Sequence, residues 1–482
     1  MAPSSLGSPP RKLVIIGAGP AGLTAAWENV RHGGSAVVLE RDSVVGGIAR
    51  TAQHNGYRFD IGGHRFFSKV REVNELWHEV LEKEFIRVPR QSRILYRGKF
   101  FDYPLKPFQA FFGLGPIESF RCGLSFLNAQ LFPRKPEEDF EAWVSNRFGK
   151  RLFSIFFKTY TEKVWGVPST EIKAEWAAQR IRGLSLWKAI FTAFKKDPTI
   201  KTLIDAFDYP RLGPGQMWET FQRNVEAAGS RVLLGRPVSR IAWEEGRGVT
   251  AVEATHDGRT ESHSGDAYLS TMAMKELVAA LDPKPPAAVL AAGERLRYRD
   301  FICVALMFQG KDFFTDNWVY IHSPEVNVGR IQNFNNWSAD MVPVDGVTCL
   351  GLEYFCFESD ALWKMSDPEL LAMARQEIYR TGLVPEGTPI VDGAVVRMAK
   401  TYPMYDPGYR EAVDEIRLFL ERKLPNLQLV GRNGMHKYNN QDHAMVTAMY
   451  AVRNLYGQKN DLWAVNVDED YHEEIRETRK VP

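Results

Sequence analysis

The sequence predicts an α/β protein of two or three domains, and three observations carry that expectation. A short β-branched run, Leu13 to Ile16, enters a glycine turn. A helix-forming stretch, Ala21 to Val30, and a second apolar strand, Ala36 to Leu39, follow it in the order of a βαβ unit. From about Asn74 to Phe207 the pattern changes to long, aromatic-rich amphipathic segments such as Phe140 to Phe157 and Glu171 to Ile190, which read as helices. Strand signals then resume. Arg231 to Trp243, Val249 to Ala254 and Ala267 to Thr271 alternate with turn residues, and a further sheet is expected from Phe301 to Tyr402. Leu427 to Val430 is a strand between two helices, Glu411 to Lys423 and Gln441 to Leu455.

The chain has 482 residues, 44% hydrophobic and 25% charged, enough for about three domains with buried cores. Its 61 basic and 59 acidic side chains leave a net charge of +2 with no dense Lys/Arg run, so neither nucleic acid nor an anionic membrane is an expected partner. Cys122, Cys303, Cys349 and Cys356 are too scattered for a disulfide framework or a zinc site, and no metal is expected. The opening MAPSSLGSPPRK lacks the apolar core of a signal peptide, and a cytoplasmic protein is expected.

The turn itself is Gly17-Ala18-Gly19-Pro20-Ala21-Gly22, a G-x-G-x-x-G between strand and helix. Gly17 allows the tight turn, Gly19 lets backbone approach a pyrophosphate, and Gly22 lets helix pack on strand. The helix N-terminus presents free N–H groups to phosphate. Glu40 ends the second strand, where a carboxylate accepts from a ribose diol. This is the fingerprint of a Rossmann-like dinucleotide site. Beyond Glu40 and Arg41 the chain reaches Gly46-Gly47 and then Arg50, and the pattern E-x5-G-G resembles that of flavoproteins in the amine-oxidase and sugar-mutase superfamily. The resemblance implies FAD, with Gly46, Gly47 and the basic residue that follows them, Arg50, at the pyrophosphate, Arg41 also at the cofactor, Val238 near the adenine, and Gly431, Arg432 and Gln441 near the flavin. A helix N-terminus at Gln441 favours the negative charge that develops on flavin reduction.

Four further stretches narrow the resemblance. These are Asp60-Ile61-Gly62-Gly63-His64-Arg65-Phe66-Phe67-Ser68; Tyr160 to Gly166 followed by Trp176 and Arg180; Trp318-Val319-Tyr320 with Arg330; and Gly431-Arg432 with Lys437-Tyr438 and Asn440-Gln441-Asp442-His443. In content and order they resemble the UDP-galactopyranose mutase family. Those enzymes convert a nucleotide-diphosphate hexopyranose to its furanose with no net oxidation, through an adduct between reduced flavin N5 and the sugar. The resemblance implies that Gly63 and His64 lie against the flavin and that Arg180 and Arg330 hold the diphosphate. It also implies that Trp165, Tyr320, Tyr402, Tyr438 and Asn440 line the substrate pocket. Planar guanidinium forks suit a departing diphosphate because they grip oxygen pairs. The implied architecture is an FAD domain from residues 11–73, 211–295 and 405–470, a helical domain with a substrate lid at 74–210, and an antiparallel substrate-binding sheet at 296–404.

Two departures touch the substrate. Leu184 to Ile190 and a basic, aromatic continuation replace the family's Asn- and Gly-rich flap, and Thr161 stands where an asparagine is usual. UDP-, GDP- and dTDP-linked hexoses therefore all stay open as substrates. No second nucleotide fingerprint is present, and NADH or NADPH is expected as an external reductant. The alternatives are an FAD oxidoreductase of amine-oxidase or desaturase type, which has no reason to keep Arg180, Arg330 and the tyrosines, and a non-catalytic flavin-binding protein. Whether the region from Asn74 to Phe207 carries a homodimer interface or is simply core is open from sequence.

Overall fold

A computed structural model describes residues 11–103, 105, 107–174, 202–203, 206–466 and 474–475. The α/β fold class is as the sequence predicts. A five-stranded parallel sheet takes Arg231–Leu233, Ser35–Leu39, Lys12–Ile16, Ala267–Ser270 and Leu427–Leu429 in that spatial order, so three distant stretches of chain meet in one sheet. Both faces are buried. Leu13 and Ile15 pack into a core with the helices Pro20–Arg31 and Gln441–Leu455, while Val14 and Ile16 point into another with Tyr268 and the helix Tyr409–Lys423. Alternation along one strand thus feeds two cores, as a doubly covered parallel sheet requires.

The second large sheet has seven strands in the order Ile390–Pro403, Tyr298–Gln309, Val347–Cys356, Arg330–Asn333, Trp318–Ile321, Ser92–Tyr96 and Lys99–Asp102. Every pairing is antiparallel except that of Trp318–Ile321 with Ser92–Tyr96. Phe301, Cys303, Ala305 and Met307 face one core, and Ile302, Val304 and Leu306 face the other, which the helix Asp367–Thr381 covers with Leu370, Ala374 and Ile378.

Three local expectations need correction. The stretch read as helical also supplies strands: Ser92–Tyr96 and Lys99–Asp102 join the seven-stranded sheet, and Phe85–Pro89 pairs with Ala206–Pro210. Arg97 and Gly98, both with positive φ, make the two-residue hairpin turn. Strands of four or five residues around such a turn have too little period to stand out in a helix-length window. Phe140 to Phe157 is not one helix. It stops at Gly149, whose φ is +82°, and resumes as Lys150–Phe153 and a π turn at Ser154–Lys158. Arg231 to Trp243 divides at Gly235-Arg236-Pro237, so that Val238–Glu244 enters a separate four-stranded sheet. Of Glu171 to Ile190, residues from 175 onward lie outside the described residues. Among the described residues, no helix is long and apolar enough to cross a membrane.

Candidate functional site

The turn Gly17 to Gly22 lies at the carboxyl ends of the parallel strands, where open α/β sheets bind ligands. Gly17 has φ +98° and donates its N–H to Leu39 O at 2.8 Å; a side-chain carbon there would fall 2.0 Å from Thr271 Oγ1. At Gly22 the same carbon would fall 1.8 Å from Gly17 O, so helix and turn meet only without one. Glu40 is buried at the end of its strand. Its Oε2 accepts from Ala18 N at 2.6 Å and its Oε1 from Asp42 N at 3.0 Å. Burial raises its carboxyl from the ordinary range, against the pull of those two N–H groups. Each oxygen keeps a second lone pair for another donor.

A cavity of about 520 Å³ opens over this turn. Of the predicted cofactor residues, Gly17, Gly19, Glu40, Arg41, Gly47, Val238, Gly431, Arg432, Gln441 and His64 line it, and Asn440 joins them. Gly22, Gly46 and Gly63 support it from behind. Gly46 N donates to Ala18 O at 2.9 Å, which ties the glycine pair to the turn, while a side-chain carbon on Gly63 would come to 3.0 Å from Gln332 Nε2. Asn440 caps the helix Gln441–Leu455 in a reciprocal capping box with His443. The lining also includes Pro237, Thr271 and Met398, which sequence reasoning had not singled out.

The predicted substrate residues form a second cluster beside that cavity. Arg432 joins the two: it lines the cavity, its Nε donates to Asn439 O at 2.8 Å, and its guanidinium lies 5.6 Å and 4.7 Å from the ring centres of Tyr402 and Tyr438. Those two rings are stacked, with centroids 5.7 Å apart. Tyr320 meets Tyr103 at 4.7 Å and Tyr160 at 5.4 Å. Trp165 is buried at the end of the helix Thr159–Trp165, 6.5 Å from the Tyr438 ring. Arg330 donates from Nε to Oε2 of the buried Glu353, which also accepts from Gln332 Nε2 at 2.7 Å. Among the described residues the Nη atoms of Arg330 have no hydrogen-bond partner. Burial is the largest single influence and works against its charge, but the Glu353 carboxylate and the facing Tyr160 and Tyr402 oxygens together outweigh it and hold the guanidinium well above its ordinary value. Gly62 separates Arg330 from His64: a carbon built on it would lie 3.8 Å from both Arg330 Nη2 and His64 Nε2. Arg180, expected beside Arg330, lies outside the described residues.

His64 is a neutral imidazole. Removal from bulk water, and then the nearby charge of Arg432, lower its pKa to about 4, and its Nε2 lies 3.0 Å from Ile61 O as the donor of that pair. Burial likewise pushes the Tyr160 and Tyr402 phenols up, so both stay protonated donors at neutral pH. Beneath the cluster, Asp60 accepts from Tyr209 OH and, at 2.9 Å, from Thr51 Oγ1, and burial pushes its carboxyl up to about 7. Glu353 went unnoticed in the sequence although a signal was there: it is the single charged residue of Val347–Cys356, a strand buried from end to end.

The cavity suits a flavin dinucleotide on its own residues. It has a glycine turn at one side, the buried carboxylate of Glu40 with lone pairs to spare, and two buried acceptors without partners, Asn433 Oδ1 and Gln441 Oε1, among its lining. Fold and site together define a dinucleotide-binding enzyme of the flavoprotein type. A family model described as flavin containing amine oxidoreductase matches residues 20–432, and the chain belongs to that family. Among solved structures, a reduced UDP-galactopyranose mutase superposes with a TM-score of 0.82 at 21% identity, covering 95% of this chain and 98% of that one. A putative protoporphyrinogen oxidase from Exiguobacterium sp. 255-15 gives 0.70 at 17% identity, with 93% and 99% covered. A putrescine oxidase bound to putrescine gives 0.60 at 16%, with 93% and 99% covered. A curated relative, an uncharacterized protein in the nifH2 3′ region of Methanothermococcus thermolithotrophicus, is 42% identical over 53 residues, 11% of this chain. The chain spans about half the length of that relative, 51%.

Proposed function

We propose that this chain is a flavin-dependent mutase that interconverts the pyranose and furanose forms of a hexose carried on a nucleoside diphosphate, redox-neutral overall. The observation that carries the reading is Arg330, whose Nε is occupied by buried Glu353 while both Nη atoms remain available beside His64 and the phenols of Tyr160, Tyr320 and Tyr402. A half-buried cation fixed by one edge with its fork free matches an anion with paired oxygens, and a diphosphate leaving group is such an anion. An amine or an alkyl chain needs no cation there. The fold likeness to the reduced mutase, at 0.82 against 0.60 for the putrescine oxidase, supports the same choice at the level of fold.

When bound and reduced, the flavin supplies the nucleophile for the anomeric carbon. The chain's residues do the rest. Arg330, with Arg180 as its proposed partner, holds the diphosphate while it is off the sugar, so that it returns to the same molecule. The phenols of Tyr160, Tyr320 and Tyr402 donate to its oxygens, and Tyr438 and Trp165 bound the sugar pocket. Neutral His64 adds no charge against Arg330 and Arg432, and offers a ring nitrogen for a proton beside the cavity. The proposed substrate is a UDP-, GDP- or dTDP-hexose, with NADH or NADPH as reductant.

The test is direct. Dithionite-reduced protein mixed with UDP-, GDP- and dTDP-hexoses yields a furanose product from at least one of them by chromatography, and oxidised protein yields none. Turnover by the oxidised enzyme with release of peroxide overturns the reading in favour of an oxidase.

A further inference from the structure

The hairpin that carries Tyr320 and Arg330 is held at its bend by two opposite charges. Its strands, Trp318–Ile321 and Arg330–Asn333, pair with Tyr320 opposite Arg330, and residues 322–329 join them. Lys163, on the helix Thr159–Trp165, donates from Nζ to three carbonyls there: Ile321 O at 3.3 Å, Ser323 O at 2.7 Å and Val328 O at 3.2 Å. Glu377, on the helix Asp367–Thr381, accepts from Asn327 N at 2.7 Å, Asn327 Nδ2 at 2.9 Å and Val328 N at 2.9 Å. Val328 thus gives its carbonyl to the cation and its N–H to the anion. Among the described residues the two charges form no ion pair with each other, and what joins them is the backbone of the bend.

Both side chains are withdrawn from water to do this. Glu377 is 4% exposed, and burial lowers the Lys163 ammonium to about 8 against the pull of Glu377 and Glu325, which leaves it charged at neutral pH. A desolvated charge is tolerated where its hydrogen bonds are made. An ammonium has three protons, and Lys163 directs all of them at this bend. The tie also reaches Tyr160, three residues before Lys163 on the same helix. Its ring stacks at 4.9 Å on His322, whose neighbours on either side, Ile321 and Ser323, supply two of the carbonyls, and it meets the Tyr320 ring at 5.4 Å. Lys163 therefore fixes an element bearing one phenol to a hairpin bearing another phenol and a guanidinium, while neither Lys163 nor Glu377 lines the cavity. Donors from separate elements grip one anion well only when their spacing is set beforehand. Building on the reading of Arg330 as the diphosphate holder, we propose that Lys163 and Glu377 are positioning residues for that anion site: together they set the bend, and with it the spacing of Tyr160, Tyr320 and Arg330.

The probe is inorganic pyrophosphate, which has neither base nor sugar, titrated calorimetrically into the flavin-loaded full chain. Lys163→Ala is expected to keep its flavin absorbance per chain and to bind pyrophosphate roughly tenfold more weakly. Lys163 is half-buried, so a small cation can reach its place. n-Propylammonium, with the size and charge of the lost Cγ, Cδ, Cε and Nζ, restores the affinity and propan-1-ol does not, whereas a side chain that only filled space would be replaced by either. Amide hydrogen exchange in the same variant quickens in residues 322–329 and is unchanged in the neighbouring strand Val347–Cys356. Glu377→Gln, which keeps the shape of the side chain, weakens pyrophosphate and quickens exchange in the same residues, and it decides the matter if Lys163→Ala does not load flavin. Wild-type affinity in these variants, unchanged exchange in residues 322–329, or a loss in Lys163→Ala that propan-1-ol recovers as well as n-propylammonium overturns the proposal. Arg330→Ala separates this from the reading beneath it. If that variant binds pyrophosphate as well as the wild type, the diphosphate reading itself fails; if it loses pyrophosphate while Lys163→Ala and Glu377→Gln keep it, the positioning role alone fails.

Discussion

Arg330 Nε donates to Glu353 Oε2 at 2.5 Å, and Glu353 is wholly buried. The carboxylate keeps the guanidinium charged and fixes its plane, so its outer edge faces Gly62 and His64 instead of turning into the strand. Burying one ion without the other is costly, and neither residue is there without its partner. Arg330→Ala is expected to retain flavin absorbance while kcat/KM for the nucleotide sugar falls by roughly 10²–10³, or about 3–4 kcal/mol. Arg330→Lys recovers little of this, because a point charge does not replace a fork. Wild-type kinetics in either variant would falsify the diphosphate assignment.

Glu353 acts through Arg330. Glu353→Gln is expected to raise KM for the nucleotide sugar more than it lowers kcat, since the amide still accepts one hydrogen bond but no longer anchors the charge. Glu353→Ala leaves a buried cation unpaired and costs about 3–5 kcal/mol of stability, read from urea midpoints. Equal KM for Glu353→Gln and the wild type would show that Arg330 is positioned some other way.

Flavin retention is expected to depend on the turn. Gly22→Ala places a carbon on Gly17 O, and relieving the overlap must push helix off strand at a cost of about 1–3 kcal/mol. Glu40→Ala strips the acceptor from Ala18 N and Asp42 N. Both variants are expected to purify with less flavin per chain, measured as the ratio of flavin to protein absorbance. Full loading of Gly22→Ala would mean that the turn is not where the pyrophosphate lies.

His64 is neutral above about pH 4. The pH profile of kcat/KM therefore shows no inflection near the ordinary histidine pKa that disappears in His64→Asn. An inflection near pH 6.5 that His64→Asn removes would mean that the imidazole is solvated and titrates, against its burial beside Arg432.

Stability depends on pH through a second histidine. His322 is buried, stacked on Tyr160, and burial with the charge of Lys163 holds its pKa down at about 3. The unfolded chain takes up a proton near pH 6.5 that the folded one refuses, so the contribution is intact above pH 6.5 and is lost as pH falls from there toward 3. Between pH 7.5 and 5 this costs about 2 kcal/mol. His322→Phe is expected to flatten that part of the pH dependence in urea unfolding; a wild-type slope in the variant counts against it.

Much of the candidate cofactor site was legible because it is written in contiguous residues. Gly17 to Gly22 and Glu40 fall within one βαβ unit, whose turn chemistry and spacing are local, and the helix expected from Gln441 to Leu455 has those bounds in the structure. Other features were not legible for the same physical reason in reverse. The hairpin of Ser92–Tyr96 and Lys99–Asp102 forms because a distant strand, Trp318–Ile321, offers it an edge. Met398 reaches the cavity because its strand, Ile390–Pro403, is bonded to the segment that follows the last parallel strand, where Asn433 Nδ2 donates to Lys400 O at 2.7 Å.

By itself the sequence determined the dinucleotide turn, the fold class and the residue types able to hold a flavin and an anion, since each depends on local geometry and on chemistry carried by single side chains. Only the tertiary structure decided that Arg330 is half occupied by Glu353, that His64 is neutral, and that Arg432 joins the cavity to the tyrosines. Those properties depend on burial and on charges hundreds of residues apart in the chain, and the energy of a charge is set by what surrounds it in space.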